Sequence, residues 1–352
     1  MAAELPSRGP AVANDHIEGI DYLRAIMSVL VVVWHMGGAG RSLIFSSEKY
    51  LEHVFTLSDL INFHVLLQAV PTFIFISSFL YVARGATTAR LKKHLKRLLI
   101  LLTFWAVAFN IFRDGYAGLL HSFPHSPGAF ALAVLTAGHT LYYFFFSLLA
   151  CQILAHLITR LDRRMQILGL ALSTAMLACL PALTKISGCF VLGAYWNPLN
   201  FIPYPFAAVL IAQNRGYIRA KKNMLISISL IVFVMLSIIE WRYSTGAIFF
   251  PGQGYAFPTY TRASLLFSVA ALGIIAIESG IKSIGIIRYM AKYSLALYCL
   301  HPFLMDPVKA FVVGRFSGNS AMATYAAIII VVSLSYIIAP VLRIYLKEEV
   351  IT

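Results

Sequence analysis

The sequence predicts an all-α polytopic membrane protein with about ten transmembrane helices and both termini in the cytoplasm. Three observations predict it. The first is composition: of 352 residues, 60% are apolar and 12% charged, against roughly half and a quarter in an ordinary soluble domain. At about 20 mostly apolar residues per span, the apolar residues, about 211, furnish roughly ten crossings and leave little for a separate soluble domain. The second is punctuation, because apolar runs recur along the whole chain with charged or Pro/Gly segments between them. The third is the distribution of Lys and Arg. Alternate loops (84–97, 160–164, 215–222 and 282–292) hold sixteen, and the intervening ones eight, as the positive-inside rule requires. The net charge of +14 is therefore topological. Basic residues spread between apolar runs form no nucleic-acid patch, which excludes DNA or RNA as partners.

Taken in order, residues 1–18 hold Pro, Ser, Gly, Asn and acidic groups without a long apolar core. They read as a flexible cytoplasmic tail and not as a cleaved signal peptide. The spans follow as Ile20 to Met36, Leu60 to Ala83, Leu98 to Phe112, Thr140 to Ile158, Gln166 to Leu183, Leu199 to Ala212, Met224 to Ile239, Ala263 to Ile277, Tyr289 to Phe303, and Ala321 to about Leu346. Residues 19–347 thus form one transmembrane domain, and 348–352 a second short tail. The eleven-residue stretch Gly128 to Gly138 is too short to span and lies at the outer surface or re-enters. Aromatic residues between Trp241 and Tyr260 fit an interfacial belt or stacking on sugar rings. The cysteines Cys151, Cys179, Cys189 and Cys299 have neither CxxC nor metal spacing. His121 and His125 are spaced like metal ligands, but Pro124 between them breaks a helical pair, so no metal is expected.

Ionisable groups inside spans cost several kcal/mol unless paired or solvated, so each is a functional candidate. In the first span Arg24 and His35 stand eleven residues apart. That separation returns to within about 20 degrees on a helix and covers about 16 Å, so both project from one face, with Asp21 close to the same stripe. An interhelical hydrogen bond explains a lone intramembrane His equally well. A second imidazole, His301, lies nine residues in from Lys292 on a helix that also starts at the cytoplasmic side, about 14 Å deep. Pro302 beside it frees a carbonyl near Tyr298; packing near the outer interface is the alternative for both residues. In the second span, Ser77 and Ser78 after Pro71 let helices, or a ligand, approach closely. The cluster Arg90, Lys92, Lys93, His94, Lys96 and Arg97 satisfies topology alone, or holds an anionic, phosphate-bearing ligand.

Together these segments resemble the acyltransferase-3 family of integral membrane acyltransferases. Ile20, Asp21, Arg24, Ile26 and His35 match its I-D-x-x-R-x-I opening, in which ten residues separate the cation from a histidine. Pro71, Phe73, Ser77 and Phe79 echo its second-span pattern, with Ser78 in place of the usual glycine. Asn197, Pro198, Leu199 and Phe201 match an N-P-L-x-F segment, and Ser294, Tyr298 and His301 match a late S-x-x-x-Y-x-x-H motif. The likeness runs from about Glu18 to the C-terminus. One departure is His94 where the family carries the first arginine of an R-x-x-R pair ending at Arg97; Lys93 and Lys96 can supply charge there without the bidentate fork.

The resemblance implies an acyltransferase of the cell inner (plasma) membrane. Such an enzyme moves an acyl group, most often acetyl, from cytoplasmic acetyl-CoA as donor substrate to a hydroxyl of a polysaccharide or lipid-linked sugar. Under it, Arg24, Lys93 and Arg97 hold the CoA end. His35 acts as general base or transient acyl carrier, His301 shares the proton work or orients the substrate, and Asp21, Ser77 and Tyr298 contact substrate. Membrane lipids are the remaining partner. A transporter or flippase of lipid-linked saccharides is the alternative, although residues 20–180 and 190–345 show no matching repeat. A non-catalytic scaffold leaves the shared stripes of Arg24, His35 and His301 without a reason.

Overall fold

A computed structural model of the chain describes residues 16–38, 57–121, 126–137, 140–244, 259–313, 315 and 320–346. Among these residues all regular structure is helical. The ninth apolar run, Tyr289 to Phe303, is divided at Tyr293 between a short helix, Gly285–Lys292, and the long one that follows, and the ten runs otherwise fall on helices. These are α1 (Glu18–His35), α2 (Leu57–Ala83), α3 (Thr88–Tyr116), α4 (Tyr143–Ile158), α5 (Arg163–Ser187), α6 (Pro203–Gln213), α7 (Lys222–Ser244), α8 (Ala263–Glu278), α9 (Ser294–Val313) and α10 (Ser320–Tyr345). Six of them, α2, α3, α5, α7, α9 and α10, are long and apolar enough to cross a membrane. Helices α4 and α8 are apolar but have 16 residues each. Helix α1 has 18 residues and carries Glu18, Asp21 and Arg24 in its first turns.

The run Leu199 to Ala212 differs from its expectation. Pro198–Phe201 is a 3-10 turn capped by Asn197, whose side chain accepts from the Leu199 N–H at 3.0 Å, and the helix proper begins at Pro203. Its 11 residues extend about 16 Å, well short of a hydrocarbon layer of about 30 Å. Helix α6 is instead an interior element, buried at Tyr204, Ala208 and Val209 against α2, α4 and α5. The stretch after Gly128 forms a short helix, Pro127–Leu135, with no buried residue, started by the Ser126 hydroxyl accepting from the Ala129 N–H. Residues 1–15 and 347–352, most of the segment between Trp241 and Tyr260, and the side chains of His121 and His125 lie outside the described residues.

Helix α2 is regular only after Ala69. A π turn (Ile61–Val65) and a 3-10 turn (Leu66–Gln68) precede that point. Pro71 offers no N–H to the carbonyl four residues back, and such a gap is commonly absorbed by a change of helix type. The outer shell and the core follow from burial: two thirds of the most apolar window of α2 is buried, against 11% for α7, which packs chiefly on α8. A row of large apolar side chains on α7, Ile231, Val234, Met235 and Ile238 among them, is exposed as lipid-facing residues are. Helix α1 lies at the centre, against α2, α8, α9 and α10. Gly19 permits that approach, since a Cβ there would run into the backbone carbonyl of Ala276 on α8.

Buried ion pairing closes the end of the bundle far from loops 84–97 and 215–222. Arg262, fully buried, donates from Nε to Glu240 at 2.9 Å, and its guanidinium lies 3.3 Å from the Phe63 ring centre. Ser264 donates to the same carboxylate from its backbone N–H at 2.9 Å and from its hydroxyl at 2.5 Å. This ties α7, α8 and the π turn of α2 together.

Candidate active site

A cavity of about 750 Å³ opens at the end of the bundle where the arginine-rich loops gather, within the range of small-molecule sites. Five arginines line it, Arg24, Arg84, Arg90, Arg97 and Arg215, against one carboxylate, Asp21. The excess of positive charge suits an anionic ligand with several charges. Four of the five have a structural reason to be there. Arg24 lies on the buried stripe of α1. Arg90 and Arg97 fall on one stripe of α3 with His94 and Leu101, seven and four residues being near-integral turns. Arg90 is anchored by Nη1 donating to the Gly85 carbonyl at 3.0 Å. Arg215 is held by Glu278, whose nearly buried carboxylate also pairs with Arg219 at 2.8 Å. That pairing raises the Arg219 guanidinium above its ordinary pKa.

A polar relay stiffens one cavity wall. Arg160 Nη2 donates to His156 Nε2 at 2.9 Å, so His156 Nδ1 carries the proton and donates to the Tyr81 oxygen at 2.8 Å. Tyr81 in turn donates to the Thr87 carbonyl at 3.2 Å. The tyrosine ring, which lines the cavity, is therefore fixed from behind.

The two histidines foreseen in separate spans meet. His35 Nδ1 and His301 Nε2 are 2.9 Å apart, and the rings lie parallel within 5°. Hydrogen-bond arithmetic then fixes the protons of the neutral pair. His301 Nδ1 faces the Leu297 carbonyl at 3.2 Å, and a carbonyl only accepts, so that nitrogen carries a hydrogen. His301 Nε2 is left as an acceptor and takes the hydrogen of His35 Nδ1. The remaining lone pair belongs to His35 Nε2. His301 thus does for His35 what an orienting carbonyl or carboxylate does for a catalytic histidine. The segment bearing His301 is locked by neighbours, with Tyr142 donating to the Cys299 carbonyl at 2.6 Å and Tyr298 donating to the Leu141 carbonyl. Phe303, two residues on, packs against Trp105, Phe109 and Phe112.

The structure brings together most of the residues the sequence nominates. Arg24, Arg97, Asp21, Ser77 and Tyr298 line the cavity, and the Tyr298 ring lies 5.8 Å from that of His301. The histidine pair therefore sits next to the cavity's Tyr298 wall. Lys93 is exposed and outside the cavity lining. It is three residues past Arg90, which places it one step off the edge of the inward stripe. Sequence reasoning passed over Arg84 and Arg215 as lining groups, and over Gln152 and Glu278 altogether. Gln152 had a signal, a lone amide within an apolar run; Arg215 and Glu278 are distant in sequence and had none.

Neither His35 nor His301 lines the cavity itself: the bundle sets a basic cavity, of a charge that suits an anionic ligand, and a pair of imidazoles beside its Tyr298 wall. A family described as an acyltransferase domain, acyltransferase-3, matches residues 17–340, nearly the whole chain, and the chain belongs to it. No curated protein matches the chain closely enough to count as a relative. The protein is a multi-pass membrane acyltransferase, with an acyl donor and a hydroxyl acceptor as its substrates.

Proposed function

We propose that the chain transfers an acetyl group from cytoplasmic acetyl-CoA to a hydroxyl of an exported or surface polysaccharide sugar, in the inner membrane. The observation that carries this reading is the alignment of two features, an arginine-lined cavity at the basic end and a hydrogen-bonded histidine pair beside its Tyr298 wall. In this reading the CoA phosphates pair with Arg24 and Arg97, reinforced by Arg84, Arg90 and Arg215. The acyl end extends past Ser77 toward Tyr298. His35 Nε2 removes the proton from the acceptor hydroxyl as the oxygen attacks the thioester carbonyl. The C–S bond then breaks, the ester forms, and the proton passes from the imidazole to the departing sulfur, leaving free CoA. His301 Nε2 holds the His35 Nδ1–H throughout, which stabilises the imidazolium that forms between the two proton transfers.

Ten crossings, counting as one of them the short interior helix α6 together with the 3-10 turn that precedes it, and both termini cytoplasmic complete the proposal, because the arginine-rich loops then face the compartment that supplies acetyl-CoA. The test is mass spectrometry of surface glycans from cells with and without the gene. Loss of one acetyl increment from a sugar in the deletion strain, restored by complementation, is expected. Identical glycan spectra in both strains would overturn the acceptor class.

A further inference from the structure

We propose that Gln152 and Ser77 form a subsite for a secondary amide of the acyl donor's pantetheine arm. This rests on the acyl-CoA reading above and goes beyond it, since that reading places charges at the phosphates and imidazoles near the thioester and passes the donor by Ser77, but gives the pantetheine amides no partner. Gln152 on α4 lines the cavity, and its side chain is fully buried. Its Nε2 donates to the Ser77 hydroxyl oxygen across the helix interface at 2.6 Å, while its Oε1 has no hydrogen-bond partner among the described residues. A buried amide oxygen left unpaired costs about 1–3 kcal/mol, so this group waits for a donor. Exchanging the amide's oxygen and nitrogen leaves the other end unpaired instead, and the vacancy remains. Ser77, having accepted from Gln152, keeps its own proton to give.

The pair thus offers one acceptor and one donor. That is the complement of a secondary amide, which brings one N–H and one C=O. A phosphate would want donors alone, and an acyl chain neither. Position agrees with chemistry: Ser77 lies six residues from Ala83, and Gln152 six from Ile158, at the basic ends of their helices. Each is about 9 Å inside, between the arginines at the mouth and the histidine pair. Pantetheine carries two secondary amides between the phosphates and the sulfur.

Calorimetric Kd values in detergent test this with three probes: acetyl-CoA and two analogues in which one or the other pantetheine amide is replaced by an ester, which removes the N–H and keeps the carbonyl. Wild type is expected to bind one analogue about tenfold more weakly than acetyl-CoA. Gln152→Leu should bind acetyl-CoA about tenfold more weakly than wild type and show no further loss with that analogue. Gln152→Met, of nearly equal length, repeats the measurement should the leucine variant not fold. Ser77→Ala weakens acetyl-CoA binding too but keeps the discrimination between donors. If wild type binds acetyl-CoA and treats all three probes alike, or if the Gln152 variants discriminate as wild type does, the subsite is wrong while the acyl-CoA reading stands. If wild type binds none of the three, the acyl-CoA reading itself falls.

Discussion

At the residue scale the proposed chemistry turns on which nitrogen of which histidine is unprotonated. The Leu297 carbonyl fixes the hydrogen on His301 Nδ1, and the 2.9 Å contact passes that choice to His35. Replacing His301 by phenylalanine leaves the His35 Nδ1–H without its acceptor and frees the ring to turn. We expect acetyl transfer to fall about a hundredfold, within the range for disturbed general-base catalysis, whereas His301→Gln, whose side-chain carbonyl can accept, keeps a larger share of the rate. Steady-state kinetics on both variants, at matched membrane levels, checks the order. Much of this was legible in the sequence, because helical spacing put Arg24 and His35 on one face and depth put His301 level with His35. What the spacing could not show was direct contact between the rings, which depends on the packing of α1 against α9. Lys93 illustrates the limit on the other side. Its place beside His94, where the family carries an arginine, suggested that it supplies the missing charge, but the stripe through Arg90, His94, Arg97 and Leu101 faces the cavity and Lys93 does not.

At the scale of elements, the buried Arg262–Glu240 pair is the tie between α7, α8 and the π turn of α2. Removing one partner leaves an uncompensated charge, a change that costs about 3–5 kcal/mol, while replacing both by apolar residues costs far less. Glu240→Leu should lower the thermal unfolding midpoint in detergent more than Glu240→Leu combined with Arg262→Leu. Equal or deeper destabilisation in the double variant would show that the pair does not act as a unit. The sequence placed Arg262 merely among outer-loop cations and gave no hint of Glu240, since the two are joined only once α7 and α8 pack. Helix α6 was likewise read as an ordinary span. Its apolar run is real, but Pro198, Pro203 and Pro205 consume the first turns and leave an interior helix of 11 residues.

Considered as a whole molecule, the bundle is asymmetric in charge: arginines cluster at one end around an open cavity, and a closed, paired network lies far from them. The proposed orientation predicts that a cysteine at Lys93 is labelled by a membrane-impermeant maleimide only after the membrane is opened, and one at Arg113 in intact spheroplasts. Both positions are exposed. Reversed labelling would put the cavity on the wrong side for acetyl-CoA. Fold class was readable from composition and periodicity because lipid imposes both on any spanning helix. The cavity was not, because it is lined from α1, α2, α3, α4, α9 and the short helix Arg215–Ala220, whose convergence no local pattern encodes. The most direct measurement is on His35→Ala reconstituted in proteoliposomes with labelled acetyl-CoA and the acceptor glycan. The account predicts acetyl-CoA binding at the wild-type Kd with transfer reduced at least about a hundredfold. Transfer at the wild-type rate by correctly inserted His35→Ala would contradict it.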